Sequence, residues 1–336
     1  MRVTIKQIAS KLGVNPSTVS RALSGKSGVG DRLRERIVKE ALEMGYFPDM
    51  TAMGLRKGHT KTIGVLIPDI SNPFFAQAVR GMEKIFYPMG YQLILCSTEE
   101  NSEREAANLR MLVSQRVEGL LSAPVDSRGN GTIYRKIHAE GIPIVFFDRL
   151  VPDLKLSSVI TDNEQGVQDL IEYLHKRGHR KLGIINLRGR SFTGKVRLKS
   201  AIETAEKLGM EIRQEWIKDG NSTQSGAYEA TVQILSLESK PTAIIVNNNL
   251  MMLGTMKAVR DLKINVPKDV SLVAFDDSYW NQIFDPPISC VSQDPEQMGL
   301  IAATMLLDAI FHHARKPVQT VLKAHFIERA SVSVIN

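Results

Sequence analysis

The chain has 336 residues, room for about two domains at roughly 150 residues each, and its 43% hydrophobic and 24% charged residues exclude disordered, collagen-like and coiled-coil classes. Two cysteines, Cys96 and Cys290, lie too far apart in sequence for a disulfide framework or a cysteine-rich zinc site. The net charge of +7 is unevenly spread: residues 1–58 hold eleven Lys/Arg against five Asp/Glu, the pattern of a polyanion-binding head on a nearly neutral body.

No stretch approaches about 18 consecutive apolar residues, and the N-terminus MRVTIKQIASKLGV is amphipathic rather than a charged region followed by an apolar run. A cytoplasmic protein without membrane association is expected. In chain order, Thr4-Ile5-Lys6-Gln7 has the spacing of a capping box, in which each side chain satisfies the other's free backbone N–H. The helix it starts runs to about Lys11, with Ile5, Ile8 and Leu12 on one face, small Ala9 beside them and Gly13 at the left-handed closing position. A second helix follows at once. Asn15 caps it, Pro16 takes the first helical position, where its missing N–H costs nothing, Val19 and Leu23 face inward, and Gly25 ends it. Two short helices joined by a glycine turn make a helix-turn-helix.

The outward residues Ser17, Thr18, Ser20 and Arg21 are all hydrogen-bonding, and arginine makes a bidentate contact to guanine O6 and N7 in the major groove. A third helix, about Arg32 to Met44, is expected to bury Leu33, Ile37, Val38, Ala41 and Leu42 and to stop at Gly45. A core of about 45 residues is only marginally stable alone, so attachment to a larger body is expected.

The run VTIKQIASKLGVNPSTVSRALSG, then Gly45-Tyr46-Phe47-Pro48 and Met50-Thr51-Ala52-Met53-Gly54-Leu55-Arg56, resembles the DNA-binding head and hinge of the lactose-repressor family. The resemblance implies a head at 1–48 whose recognition helix enters the major groove, Pro16, Ser17 and Arg21 facing bases and Thr18 and Ser20 facing phosphates. Thr4 and Met53 complete the implied DNA contacts, and a hinge at 49–59 wedges Leu55 into the minor groove, unstacking a base step in return for a bend. Gly54 departs from that pattern, since glycine inside a helix costs about 1 kcal/mol relative to alanine. Gly30 and Leu33 depart from it in the third helix.

From Lys61 onward, apolar runs at 63–67, 93–96, 119–121, 144–147, 182–185, 243–246 and 270–275 alternate with helical patterns near 73–89, 102–115, 132–139, 164–177, 195–208, 224–237, 250–262 and 294–313. That alternation is the signature of α/β architecture, parallel sheets with helices on both faces, and its extent calls for two doubly wound lobes. Ile63–Phe75, Phe147-Asp148-Arg149, Gly178-His179-Arg180-Lys181 and Phe275-Asp276-Asp277 resemble the same family. They imply a body at 60–336 like a periplasmic sugar-binding protein, with lobes at about 60–160 plus 291–321 and about 161–290 plus 322–336.

Ligands of such sheets sit beyond the carboxyl ends of the strands. Asn72, Phe74, Asp148, Arg149, Asn248, Asn249 and Asp276 occupy those loops, an inventory suited to paired hydroxyls and an apolar sugar face. By resemblance Arg197 matches the effector-binding arginine, with Asn248 and Asp276 the hydroxyl-binding pair. Gly220-Asn221-Ser222 stands where relatives place an aromatic, which argues against purine stacking. Arg149, Arg190, Lys195 and Arg197 are candidates to bring several cations to one cleft; two pointing inward would tilt the effector slightly from a neutral sugar toward a sugar acid or sugar phosphate, the alternative being solvated charges on the rim.

No phosphate loop, nucleophile elbow or His-Glu-x-x-His zinc motif is present, and the adjacent His312 and His313 of one helix point apart, so no enzyme, cofactor or metal is expected. A transport receptor explains the body but not the basic head, and a sugar-metabolising enzyme explains the fold class alone. The expected function is a repressor that binds double-stranded operator DNA as a homodimer under control of a small effector. Its last residues carry no leucine heptad, so no tetramer-forming tail is expected.

Overall fold

The structure is a computed structural model that describes residues 3–46, 59–126, 128–187, 189–312 and 316–335. The hinge expectation, with Met53, Gly54 and Leu55, lies outside the described residues, as does His313. Two compact units divide at Thr60/Lys61.

In the first unit, α1 (Ile5–Leu12) and α2 (Pro16–Leu23) follow from their caps, while α3 (Asp31–Glu43) starts after Gly30 with no side-chain cap. The Gln7 amide donates to Thr4 Oγ1 while the Thr4 amide donates to Gln7 Oε1 at 2.8 Å, completing the capping box, and Gly13 closes the helix at φ 64°. Asn15 Oδ1 accepts from the Ser17 amide at 2.9 Å. Ile8, Ala9, Val19, Ala22, Ile37 and Ala41 form the buried centre. Two expectations for α3 fail: Leu42 is 73% exposed and Val38 39% exposed. With so small a core, α3 buries only the stripe through Ile37 and Ala41, four residues apart, and its neighbours at 100° rotate outward.

The second unit holds both expected doubly wound lobes. Its strands are β1 (Thr62–Ile67), β2 (Gln92–Ser97), β3 (Gly119–Ser122), β4 (Ile144–Phe147), β5 (Ser157–Thr161), β6 (Leu182–Asn186), β7 (Ile217–Asp219), β8 (Ala243–Val246), β9 (Ser271–Phe275), β10 (Ser289–Ser292), β11 (Gln319–Leu322) and β12 (His325–Ile327). One sheet runs β11-β5-β4-β3-β1-β2 and the other β12-β10-β9-β8-β6-β7, so the two share one order. Neighbours pair in parallel, except that β12 lies antiparallel to β10. The helices are α4 (Pro73–Phe86), α5 (Ser102–Ser114), α6 (Gly131–Ala139), α7 (Asn163–Lys176), α8 (Phe192–Lys207), α9 (Gln224–Leu235), α10 (Asn249–Asp261), α11 (Tyr279–Ile283) and α12 (Pro295–Phe311).

The chain passes between the sheets three times: after β5, after β10 and after β11. After the second passage α12 packs on the first sheet, where Met298, Ala302 and Leu306 share a core with Ile63, Phe75 and Met82. The α4–α12 contact is close because both helices present glycine. A Cβ on Gly299 would lie 1.9 Å from the Ala78 carbonyl oxygen, and one on Gly81 would lie 2.1 Å from that of Glu296. Cys96 and Cys290 are buried as free thiols. No helix among the described residues is long and apolar enough to cross a membrane, and they contain no metal-holding cluster of His, Cys, Asp and Glu.

Candidate functional site

On the head, Pro16, Ser17 and Arg21 are exposed along α2, and Thr18 and Ser20 are half-buried beside them. The Ser17 hydroxyl donates to Asn15 Oδ1 at 2.8 Å, which holds the first turn, and Arg21 Nε donates to the Ser17 carbonyl at 3.3 Å, which directs the guanidinium along the helix. Thr4 is exposed, and its hydroxyl donates to Gln7 at 3.0 Å. Met53 and Leu55 lie outside the described residues.

In the body, Asn72, Phe74, Asp148, Arg149, Arg197, Asn248 and Asp276 line one cavity between the sheets. Phe75, Leu187, Thr193 and Gln293 complete its wall. Its volume is about 20 Å³. A single water needs about 10–15 Å³, so the cleft is closed to anything larger. Strand-end loops and helix starts position these groups. Asn72 caps α4, accepting from the Phe74 amide at 2.9 Å, and Asn248 caps α10, accepting from Met251 at 2.7 Å. Asn249 Nδ2 then donates to Asn72 Oδ1 at 2.9 Å, a buried hydrogen bond that ties the two lobes together.

The two cleft arginines are already partnered. Arg149 donates from Nη1 and Nη2 to both oxygens of Glu100, at 2.8 and 2.7 Å, with Asp148 at 3.4 Å from its Nε. Burial opposes this charge, yet the Glu100 carboxylate holds Arg149 above its ordinary value. Arg197 donates to Asn163 Oδ1 at 2.7 Å and to the Asn247 carbonyl at 2.6 Å, and its guanidinium lies 3.5 Å over the Phe275 ring. Burial pulls Arg197 below its ordinary value, with Asp276 and Asp148 opposing. Burial also pushes Asp148 up to about 6 and raises Asp276, while neighbouring arginines pull both back.

Of the four candidate cations, two line the cleft, Arg149 and Arg197. Arg190 is exposed, and Lys195 lines a separate hollow of about 270 Å³ beside Arg128 and Phe192. Asp148, Asp276 and Glu100 balance Arg149 and Arg197, so the cavity wall carries no excess positive charge. Sequence reasoning missed Glu100, Asn163 and Gln293, whereas Asn249 was among the strand-end residues it named. Glu100 meets Arg149 across 49 residues, a pairing visible only after folding. Gln293 sits at the second passage between lobes, two or three residues past the expected crossing at about 290–291, so its place beside that crossing was the signal that could have found it.

Residues 4–49 match the family described as bacterial regulatory proteins, lacI family, and residues 171–332 match the periplasmic binding protein-like domain. The HTH-type transcriptional repressor PurR of Serratia proteamaculans (strain 568) is 32% identical, the alignment covering 98% of this chain and 97% of that protein. The PurR repressor of Proteus mirabilis (strain HI4320) is also 32% identical, over 98% and 97% of the respective chains. Among solved structures, the lac repressor dimer bound to operator and the anti-inducer ONPF matches with a TM-score of 0.83 over 99% of this chain and 100% of that one, at 24% identity, a likeness of fold. The complex of the transcriptional regulator CelR with cellobiose matches at 0.72, with 27% identity over 98% and 100%. A helix-turn-helix head joined to a bilobal, periplasmic-binding-protein-like body, with relatives of this similarity across its whole length, makes the chain a member of the lacI family and a DNA-binding transcriptional repressor.

Proposed function

We propose that two copies of this chain bind a pseudo-palindromic operator through their heads, residues 1–48, and that a small sugar in the cleft of the body, residues 60–336, sets the affinity for that operator. Residues 49–59 act as the hinge, with Leu55 wedged into the minor groove and Met53 beside it. Arg21 reads a guanine, Pro16 and Ser17 face neighbouring bases, and Thr4, Thr18 and Ser20 hold the backbone. The observation that carries the cleft reading is that seven residues from separate strand ends and helix starts line one cavity.

The charge balance of that cavity favours a neutral polyhydroxylated effector over a sugar acid or phosphate. Both arginines already face carboxylates, and an added anion would displace Glu100 or confront Asp148 and Asp276. Because the closed cleft has no room for a sugar, binding requires the lobes to part, and that movement couples the effector to DNA. The coupling is reciprocal and typically about 1–3 kcal/mol, a five- to 150-fold change in affinity. Tyr279 and Ile283 of α11, 71% and 73% exposed, offer an apolar surface for pairing two bodies.

Selection of operators from random duplex DNA with the purified chain, repeated with neutral sugars, sugar acids and sugar phosphates, tests the reading. A two-fold symmetric site whose retention changes with a neutral sugar supports it. Enrichment of no site, or of an asymmetric one, removes the dimeric operator.

A further inference from the structure

The first sheet carries a second hollow, at the opposite end of its strands from the effector cavity. Asp148 and Arg149 of that cavity follow the last residue of β4, whereas Ile144 and Ser157, the first residues of β4 and β5, border a hollow of about 880 Å³. Small-molecule sites run from about 300 to 1,000 Å³, so the space suits a sizeable ligand. Buried Ile144 and Val145 form its floor, and Pro143, Leu156, Met305 and Val318 rise around them. None of its lining residues is shared with the effector cavity, and none is Phe, Tyr or Trp. Such walls suit a flexible aliphatic chain better than a stacked ring.

The rim is charged. Lys155 and Lys316 both border the hollow and both are exposed. Strand β11 pairs in parallel with β5, Gln319 opposite Ser158, and the same register carried three residues back sets Lys316 level with Lys155. Neighbouring chains at that register lie about 5 Å apart, and like charges directly opposite one another repel. Neither lysine side chain makes a hydrogen bond or an ion pair among the described residues. Asp308, the acidic residue of the lining, lies instead 3.0 Å from His312 Nδ1, one turn further along α12. Two cations side by side above an apolar floor are complementary to an anion carried on an apolar chain.

We infer that this hollow is a second ligand site, for an aliphatic carboxylate of medium chain length. A carboxylate has two acceptor oxygens and each ammonium donates to one of them, so a single head group relieves the repulsion between Lys155 and Lys316. The chain lies over Ile144, Val145 and Met305, where it is withdrawn from water. The site belongs to the first lobe and does not depend on the sugar-effector reading.

Calorimetric titration of the full chain with sodium decanoate, 1-decanol, decylamine and sodium acetate, each below its aggregation limit, tests the inference. Decanoate should bind at one per chain, roughly tenfold or more tighter than decanol or decylamine, because only its head group makes charge-assisted hydrogen bonds to the lysines. Acetate, which has the head without the chain, should show no binding at the same concentrations. Lys155→Gln combined with Lys316→Gln should lower the affinity for decanoate to that for decanol and leave decanol unchanged. Lys155→Glu combined with Lys316→Glu should reverse the preference in favour of decylamine. Should these variants fail to fold, the ranking of the four probes on the unsubstituted chain stands without them. No binding of decanoate, equal binding of decanoate and decanol, or undiminished decanoate binding by the glutamine variant overturns the inference, and each leaves the sugar reading as it was.

Discussion

Asp148 and Asp276 end corresponding strands of the two lobes in the same backbone state. Their φ angles are 59° and 79°, in the left-handed region, and each donates its amide to a valine carbonyl on the adjacent strand, Val159 at 2.9 Å and Val291 at 2.8 Å. Holding a residue other than glycine there costs on the order of 1–3 kcal/mol, and such strain gathers at functional sites. Here it turns two carboxylates from opposed sheets into one cavity, where each faces Arg197.

The ionisation of Asp148 should therefore weaken the fold. Burial raises it from 3.8 to about 6, so the folded chain binds this proton more tightly than the unfolded chain. Its contribution is best below about pH 4, declines as pH rises toward 6, and stays lost above that, by about 3 kcal/mol in all. Asp148→Asn, which stays neutral and tolerates a positive φ, should be more stable than the parent at pH 7, with the advantage vanishing near pH 4. Urea unfolding of both proteins at pH 4, 5.5 and 7 checks this, and parallel pH profiles would refute it.

Glu100 is the partner that makes a buried Arg149 tolerable. With Glu100→Ala, a guanidinium whose side chain is only 5% exposed loses its one directly hydrogen-bonded carboxylate and keeps only Asp148 and the more distant Glu105 as counter-charges. The expected loss is about 3–5 kcal/mol, and Glu100→Ala combined with Arg149→Met should recover much of it, because an apolar replacement of both charges removes the unpaired one. Melting temperatures of the single and double variants decide. A single variant as stable as the parent would mean that solvent reaches Arg149.

Gly299→Ala tests the helix contact on the first sheet. Helix propensity alone favours alanine by about 1 kcal/mol. The added methyl would meet the Ala78 carbonyl at 1.9 Å, so the helices must separate, at a cost of about 1–3 kcal/mol. Net destabilisation is expected in chemical unfolding, and a stabilised variant would show that α4 and α12 slide apart freely.

Arg21→Ala should reduce binding to the selected operator by roughly five- to 150-fold, the 1–3 kcal/mol of one bidentate base contact. Binding to unrelated duplex should fall far less. Competition titrations at fixed salt compare the two, and equal losses would reassign Arg21 to the phosphate backbone.

Local chemistry was legible in the residues. The capping box at Thr4 and Gln7, the Asn15-Pro16 start, and the apolar strands at 144–147 and 243–246 each depend on neighbours within a few positions. Strand ends place their loops on one side of a parallel sheet, which is why Asn72, Asp148, Asn248 and Asp276 were identifiable before their contacts were known. Family resemblance supplied Arg197. Strands β5 and β10 were not legible, because Ser157, Ser158, Ser289 and Ser292 interrupt their apolar pattern; Ser158 and Ser289 are nonetheless buried, the Ser289 hydroxyl accepting from the Arg329 amide at 2.8 Å.

What the sequence by itself determined is the kind of molecule: a basic helix-turn-helix head ahead of two doubly wound lobes, with polar groups waiting at the strand ends. Tertiary structure alone decided how those groups are spent. Glu100 neutralises Arg149, Asn249 latches onto Asn72 across 177 residues, and Gln293 occupies Asp276. Hydrogen bonds and ion pairs act over about 3 Å, and no spacing along the chain shows which groups separated by a hundred residues will come that close once the lobes have closed.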